Sequence, residues 1–277
     1  MPRQSFQRVF LMIGVATTLA VWLQGTQWIK SPEKAFGVLQ KQTVLQQHSV
    51  GIADHVVAQA SGFAPSSVYG QGAVHGFTLL INPEVMTHKA AAQEIWQELN
   101  WQLLQITRVI PAKPLATLQK VRIWVEWEKR KNGAAEFHPS AEWLRQNGYN
   151  PEKAGCVEVA NTRNFVLWSR TAQPWMLLHE LAHAYHHHIL GDGHAGIEAA
   201  YKHAVDRKLY ESVAYIQGGK KQAYALTNSK EYFAELSESY FGKNDFYPFT
   251  RAELKRHDPV GYHLMEQAWG NPRGTDR

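Results

Sequence analysis

The sequence predicts an α+β fold: a small mixed-sheet subdomain, then a helical subdomain, with a cleft between them. Three observations predict it. Short runs rich in β-branched and aromatic residues occur only up to about residue 160 or at one late hairpin. Apolar residues at helical spacing dominate from Pro174 onward. The 277 residues are 44% hydrophobic and 19% charged, a globular balance that excludes fibrous and fully disordered classes.

The elements follow in order. Residues 26–70, rich in Gln, Ser and Gly, read as a linker with a poorly periodic helix. Val74–Ile81 is strand-like, and Asn82-Pro83 stops it. Lys89–Val109 places Ile95, Leu99, Leu103 and Ile106 on one helical face, and Pro111 and Pro114 end it. Val121–Trp127 is a strand. Ser140–Gln146 is a short helix with Ser140 as N-cap and Gly148 as stop. Cys156–Ala160 is a further short strand, carrying Glu158 and read as an edge strand; a strand at a sheet edge can pair with an extended ligand through its backbone. Pro174–Leu190 is a helix ended by Gly191, and Ile197–Leu209 is another. Ser212–Gln217 and Lys221–Leu226 flank Gly218-Gly219 as a hairpin. Lys230–Phe241 is helical, and two short helices follow Thr250 and Asp258.

Residues 1–25 read as a signal peptide or an uncleaved membrane anchor. Arg3 and Arg8 precede an uncharged apolar stretch, Val9–Leu23, with small residues at Thr18 and Ala20. That run is shorter than the roughly 20 residues of a spanning helix. The expectation is an exported, extracytoplasmic protein, with 9–23 as a membrane tether if uncleaved. Of the net charge of +5, three positive charges lie in residues 1–30. The rest is too mild for nucleic-acid binding, and no basic run with interleaved aromatics occurs. The single cysteine, Cys156, excludes an intrachain disulfide and a cysteine-based zinc cluster. A metal site therefore draws on the 14 histidines and the carboxylates.

The Pro174 helix contains His179-Glu180-Leu181-Ala182-His183. Residues i and i+4 of a helix are neighbours, so the two imidazoles can share one Zn²⁺. Glu180 lies about 100° round the helix, placed to take a proton from a water rather than to bind the metal. The pattern predicts metal-assisted hydrolysis, most often of a peptide bond. For the third ligand, Glu231, Glu235 and Glu238 share one face of the later helix, which is costly unless a cation or solvent compensates. Spacing divides that role evenly between Glu231 and Glu235. Asn228 with Glu231 also forms a capping-box pattern, and Glu235 with Glu238 a solvated face. His186, His187 and His188 read as exposed polar positions, and the tryptophans chiefly as core.

His179-Glu180-x-x-His183, Tyr224 and Glu231-Tyr-Phe-Ala-Glu235, with Thr227-Asn228 between, resemble the catalytic domain of the anthrax lethal factor family of zinc metallopeptidases. The resemblance covers about 170–245. The chain is also similar to bacterial proteins of unknown substrate that share the tail Asn244–Pro259. It implies a gluzincin-type zincin fold over 71–277 and one zinc per chain. It makes Glu231 the third ligand and Tyr224 a hydrogen-bond donor to the oxyanion or departing amine. It puts Glu235 behind the metal, orienting a ligand histidine. The chain lacks a substrate-recognition or toxin-delivery region, so that family's cleavage of intracellular kinases does not carry over. The expected activity is zinc-dependent peptidase action on a protein or peptide. Rival readings are a non-catalytic zinc protein of the cell envelope and a zinc hydrolase of a non-peptide amide.

Overall fold

The structure, a computed structural model, describes residues 63–274. The signal or anchor expected at 1–25, and the linker up to residue 62, lie outside the described residues. Among the described residues, no helix is long and apolar enough to cross a membrane.

The chain is α+β, with a small mixed sheet. Strands β1 (Gly70–Val74), β2 (Phe77–Ile81), β3 (Ile123–Val125), β4 (Ala135–His138) and β5 (Cys156–Val159) form one sheet in the order β1-β2-β3-β5-β4. The inner three run parallel, and β1 and β4 pair antiparallel at the two edges. The segment expected as one strand from Val74 is thus a hairpin. His75 and Gly76 both take positive φ, 49° and 86°, which closes a two-residue turn matched to strand twist. The Cys156 strand is also not an edge. It lies between β3 and β4, and β4, which sequence reading passed over, takes the edge.

Helices α1 (Pro83–Thr87), α2 (Lys89–Val109), α3 (Ala112–Leu118) and α4 (Ala141–Gln146) run between these strands, and α5 (Thr162–Thr171) follows β5. Asn82 and Asn161 cap α1 and α5 by accepting backbone N–H bonds, and Ser140 caps α4 as expected. The second half is mostly helical: α6 (Met176–Tyr185), continued by a π-turn at His186–Leu190, then α7 (Ala195–Asp206). A small hairpin, β6 (Val213–Ala214) and β7 (Lys220–Lys221), precedes α8 (Ser229–Phe241), α9 (Arg251–His257) and α10 (Pro259–Trp269).

The alternation of each inner strand sorts its side chains between two cores. Leu79, Ile81, Ile123, Val125, Val157 and Val159 join the main core, with Leu99 and Leu103 of α2 and Leu177, Leu178 and Leu181 of α6. Leu80, Trp124 and Cys156 face the other way and form a small core with Tyr69. Beside this second core lies a buried charge network. The Lys153 ammonium donates to Glu126 (2.6 Å) and to Glu158, and Glu158 also meets His138 Nε2 (2.6 Å). Tyr69 and Asn82 complete the shell of Glu126, each at 2.6 Å. Burial opposes the ionised Glu158 carboxylate, but His138 and Lys153 outweigh it and hold its pKa below the ordinary value. Glu158 therefore ties the edge strand's His138 to the rest of the sheet.

Candidate metal centre

Helix α6 buries Leu177, Leu178, Leu181 and Ala182 completely, which fixes its rotation. With that stripe inward, His179 and His183 fall together on the side facing α8. Their ring centroids are 4.8 Å apart and nearly perpendicular. The third group comes from the first turn of α8. Asn228 caps that helix, its Oδ1 accepting from the N–H groups of Lys230 and Glu231. The Glu231 side chain does not fold back to complete a capping box; it turns to the histidines.

His179 Nε2, His183 Nε2 and Glu231 Oε2 form a triangle with sides of 3.0, 3.1 and 3.1 Å. A tetrahedral zinc with bonds of 2.0–2.1 Å needs donors about 3.3 Å apart. Two histidine nitrogens and one carboxylate oxygen are also the right chemistry for an open zinc site. His179 Nδ1 lies 2.8 Å from Glu238 Oε1. A proton on Nδ1, donated to Glu238, leaves the Nε2 lone pair free for the ion. The residues present therefore fit zinc.

The electrostatics describe a site that holds its own charges against one another. Burial pushes the His179 pKa down, but its hydrogen bonds to Glu231 and Glu238 outweigh that and hold it well above the usual imidazole value. Burial pushes Glu231 up, and its bonds to both histidines reverse this and hold it far below the usual carboxylate range.

Behind His179 the arrangement departs from expectation. The family resemblance gives Glu235 the orienting role, yet its Oε1 is 3.8 Å from His179 Nδ1, beyond hydrogen-bond distance. Glu238, one turn further along α8, makes that contact. Neither is a solvated surface acid, since both are almost wholly buried. Asp245 is buried next to them. Burial, with the neighbouring acids' charges, raises the pKa of all three, Asp245 to about 7.

The triangle opens into a cavity of about 450 Å³ lined by Glu180, Tyr224, the β4 segment and the end of α5. Glu180 is half-buried and faces it. Tyr224 follows the hairpin in a short 3₁₀ turn, remains 47% exposed and sets its ring centroid 6.2 Å from that of His179. It is not a packed core aromatic. Burial and the nearby Glu231 charge raise its phenol pKa. Of the three consecutive histidines, only His187 and His188 find partners, at Asp192 (3.1 Å) and the Gly155 carbonyl (2.9 Å). His186 is 2% exposed, with no partner on either nitrogen, and burial lowers its pKa to about 4. Sequence reading placed all three on the surface.

The structure thus brings together His179, Glu180, His183, Tyr224 and Glu231. It separates Glu235 from the role expected of it and adds Glu238 and β4. The helical angle was the available signal for Glu238. At 100° per residue, i+7 returns to within 20° of Glu231, closer than i+4 at 40°. The chain matches no protein-family model, and no curated protein or solved structure is detectably similar to it.

Proposed function

We propose that the protein is a zinc-dependent peptidase with a zincin-like, gluzincin-type domain. The observation that carries this reading is the convergence of His179, His183 and Glu231 from two helices, with Glu180 beside them facing the cavity. Glu180 argues for hydrolysis, because a purely structural site has no use for a carboxylate at its open side.

When bound, zinc supplies a Lewis acid that acidifies water and polarises a carbonyl. The chain's own residues divide the remaining work. Glu180 accepts the proton of the attacking water and passes it to the amine as the C–N bond breaks. Tyr224 donates its phenol hydrogen to the oxyanion. Its raised pKa keeps that hydrogen in place at neutral pH. Glu238 holds the His179 ring in one tautomer.

A peptide suits the cavity better than another amide because of β4. Ala134 and His138 give their carbonyls to Asn161 and Gly155, the β5 side. By antiparallel alternation, Ala135 and Phe137 present their backbone groups to the open edge. An extended chain can pair there as an added strand.

The test is cleavage of unfolded casein by the full chain. The expected result is hydrolysis abolished by a chelator and restored by one equivalent of zinc. Stoichiometric zinc binding without hydrolysis of casein or of a random peptide pool would overturn the reading. Export is part of the proposal, carried by the apolar run 9–23. The intact mass of protein recovered outside the cytoplasm tests it and also reports whether that run is cleaved.

A further inference from the structure

A second hollow, of about 580 Å³, adjoins the candidate catalytic cavity. The two share Trp168, Gln173 and Tyr224, so the hollow continues the same cleft past Tyr224. Its size falls within the range of ordinary ligand pockets.

Its walls are built and held. Tyr215 and Phe246 lie against each other with ring centroids 4.9 Å apart, and their backbones form an isolated bridge. Ile216 N–H donates to the Asp245 carbonyl and Tyr247 N–H to that of Ala214, each at 2.8 Å. These bonds clamp the 245–247 segment to the hairpin. The Gln217 side chain straps the hairpin to the end of α5 by donating to the Thr171 carbonyl at 3.3 Å. Leu167, 57% exposed, and Trp168 supply the facing wall. Four aromatic rings and a leucine therefore surround a space open to the reacting centre.

The charged lining decides the chemistry of the occupant. The Lys221 ammonium sits 3.9 Å from the Tyr215 ring centroid, where it repels a cationic side chain. Asp245 is 3% exposed and sits among the other buried acids, so it offers little to a visitor. The remaining polar lining is neutral: Thr171, Gln173, Gln217 and Gln222. A flat apolar ring satisfies such walls through offset or edge-to-face contacts.

We infer that this hollow is a specificity subsite that takes one aromatic side chain of the substrate, beside the bond that is cut. The inference rests on the peptidase reading and deepens it. Trp168, Tyr215 and Phe246 become specificity determinants, with Tyr224 serving both the subsite and the reaction.

Two measurements on the full chain test it. In a random peptide pool, cut sites should show Phe, Tyr or Trp enriched about fivefold or more at one fixed position. The enrichment should fall below about twofold in Phe246→Ala and in Leu167→Lys, the latter altering an exposed residue that does not endanger folding. In the second measurement, zinc-loaded Glu180→Gln is titrated with acetyl-phenylalanine amide and acetyl-alanine amide. The phenyl compound should bind about tenfold tighter, and Phe246→Ala should remove the difference. Cleavage without aromatic enrichment, or a preference for Lys and Arg at that position, overturns the subsite. If no cleavage occurs but ring-selective binding persists, the subsite stands and the peptidase reading falls. Absence of ring selectivity in the titration overturns the subsite whether or not cleavage is seen.

Discussion

Replacing Glu238 with Gln removes a charge and little volume from the group that meets His179 Nδ1 at 2.8 Å. A hydrogen bond to an ionised partner contributes about 1.5–3 kcal/mol, and a neutral one about 0.5–1.5. The difference, roughly 1–2 kcal/mol, is the part of the ligand's orientation and basicity that depends on the carboxylate. Zinc affinity should fall about 10-fold in Glu238→Gln, at the lower end of the 10–100-fold usual for such supporting groups. Glu235→Gln removes a carboxylate whose nearest oxygen is 3.8 Å from the same nitrogen, so its effect should stay within about threefold. Competition against a chromophoric chelator at pH 7.5 measures both. If Glu235→Gln loses more affinity than Glu238→Gln, the assignment of the supporting carboxylate is wrong and the original expectation for Glu235 is restored.

Three further outcomes follow from buried charge and close packing. Lys153→Met strands Glu126 and Glu158 without their cation, and should cost about 3–5 kcal/mol in urea unfolding. A loss under about 1 kcal/mol would mean that the network is not charged. Asp245 has its pKa raised to about 7 in the folded chain. A carboxyl raised in this way destabilises folding above its ordinary value and reaches its full penalty above about 7, at most about 4 kcal/mol for three units. In the metal-free chain, Asp245→Asn should therefore leave stability at pH 4 little changed and raise it at pH 8. An identical slope with pH in both proteins contradicts this. Gly242→Ala would set a methyl carbon 2.0 Å from Trp175 Cε2, next to the start of α6. It should lower the unfolding free energy by about 1–3 kcal/mol, and an unchanged melting temperature would count against the packing described.

The sequence was most legible where one local rule settled an element. Helix α2 spans Lys89–Val109 as its apolar period required, and Ser140 caps α4. The His179–His183 pair needed only the i, i+4 geometry of a helix. What escaped depends on distant pairing. β4 is four residues, Ala-Glu-Phe-His, and becomes a strand because β5 lies beside it. Helix α5 mixes Arg, Asn and Ser with Phe165 and Val166, and its best signal is the cap Asn161, which accepts from Asn164 N–H. Its burial depends on packing against α2, whose Gln102 donates to Ser169. The turn at His75-Gly76 needs a positive φ at a histidine, which composition does not announce. Helical angle sets Glu238 nearer than Glu235 to the direction of Glu231, but the contact with His179 itself depends on how α8 lies against α6. The two ends of Pro174–Leu190 also moved: the α-helix starts at Met176 and gives way to a π-turn at His186.

The most direct test of the whole account is peptide turnover by Glu180→Gln compared with wild type at equal zinc content. Both proteins should carry one zinc per chain, and the variant's turnover should be lower by at least about 100-fold, the usual contribution of a general base. Equal turnover at equal zinc would contradict the central claim, that His179, His183 and Glu231 hold the metal for a reaction in which Glu180 moves the proton.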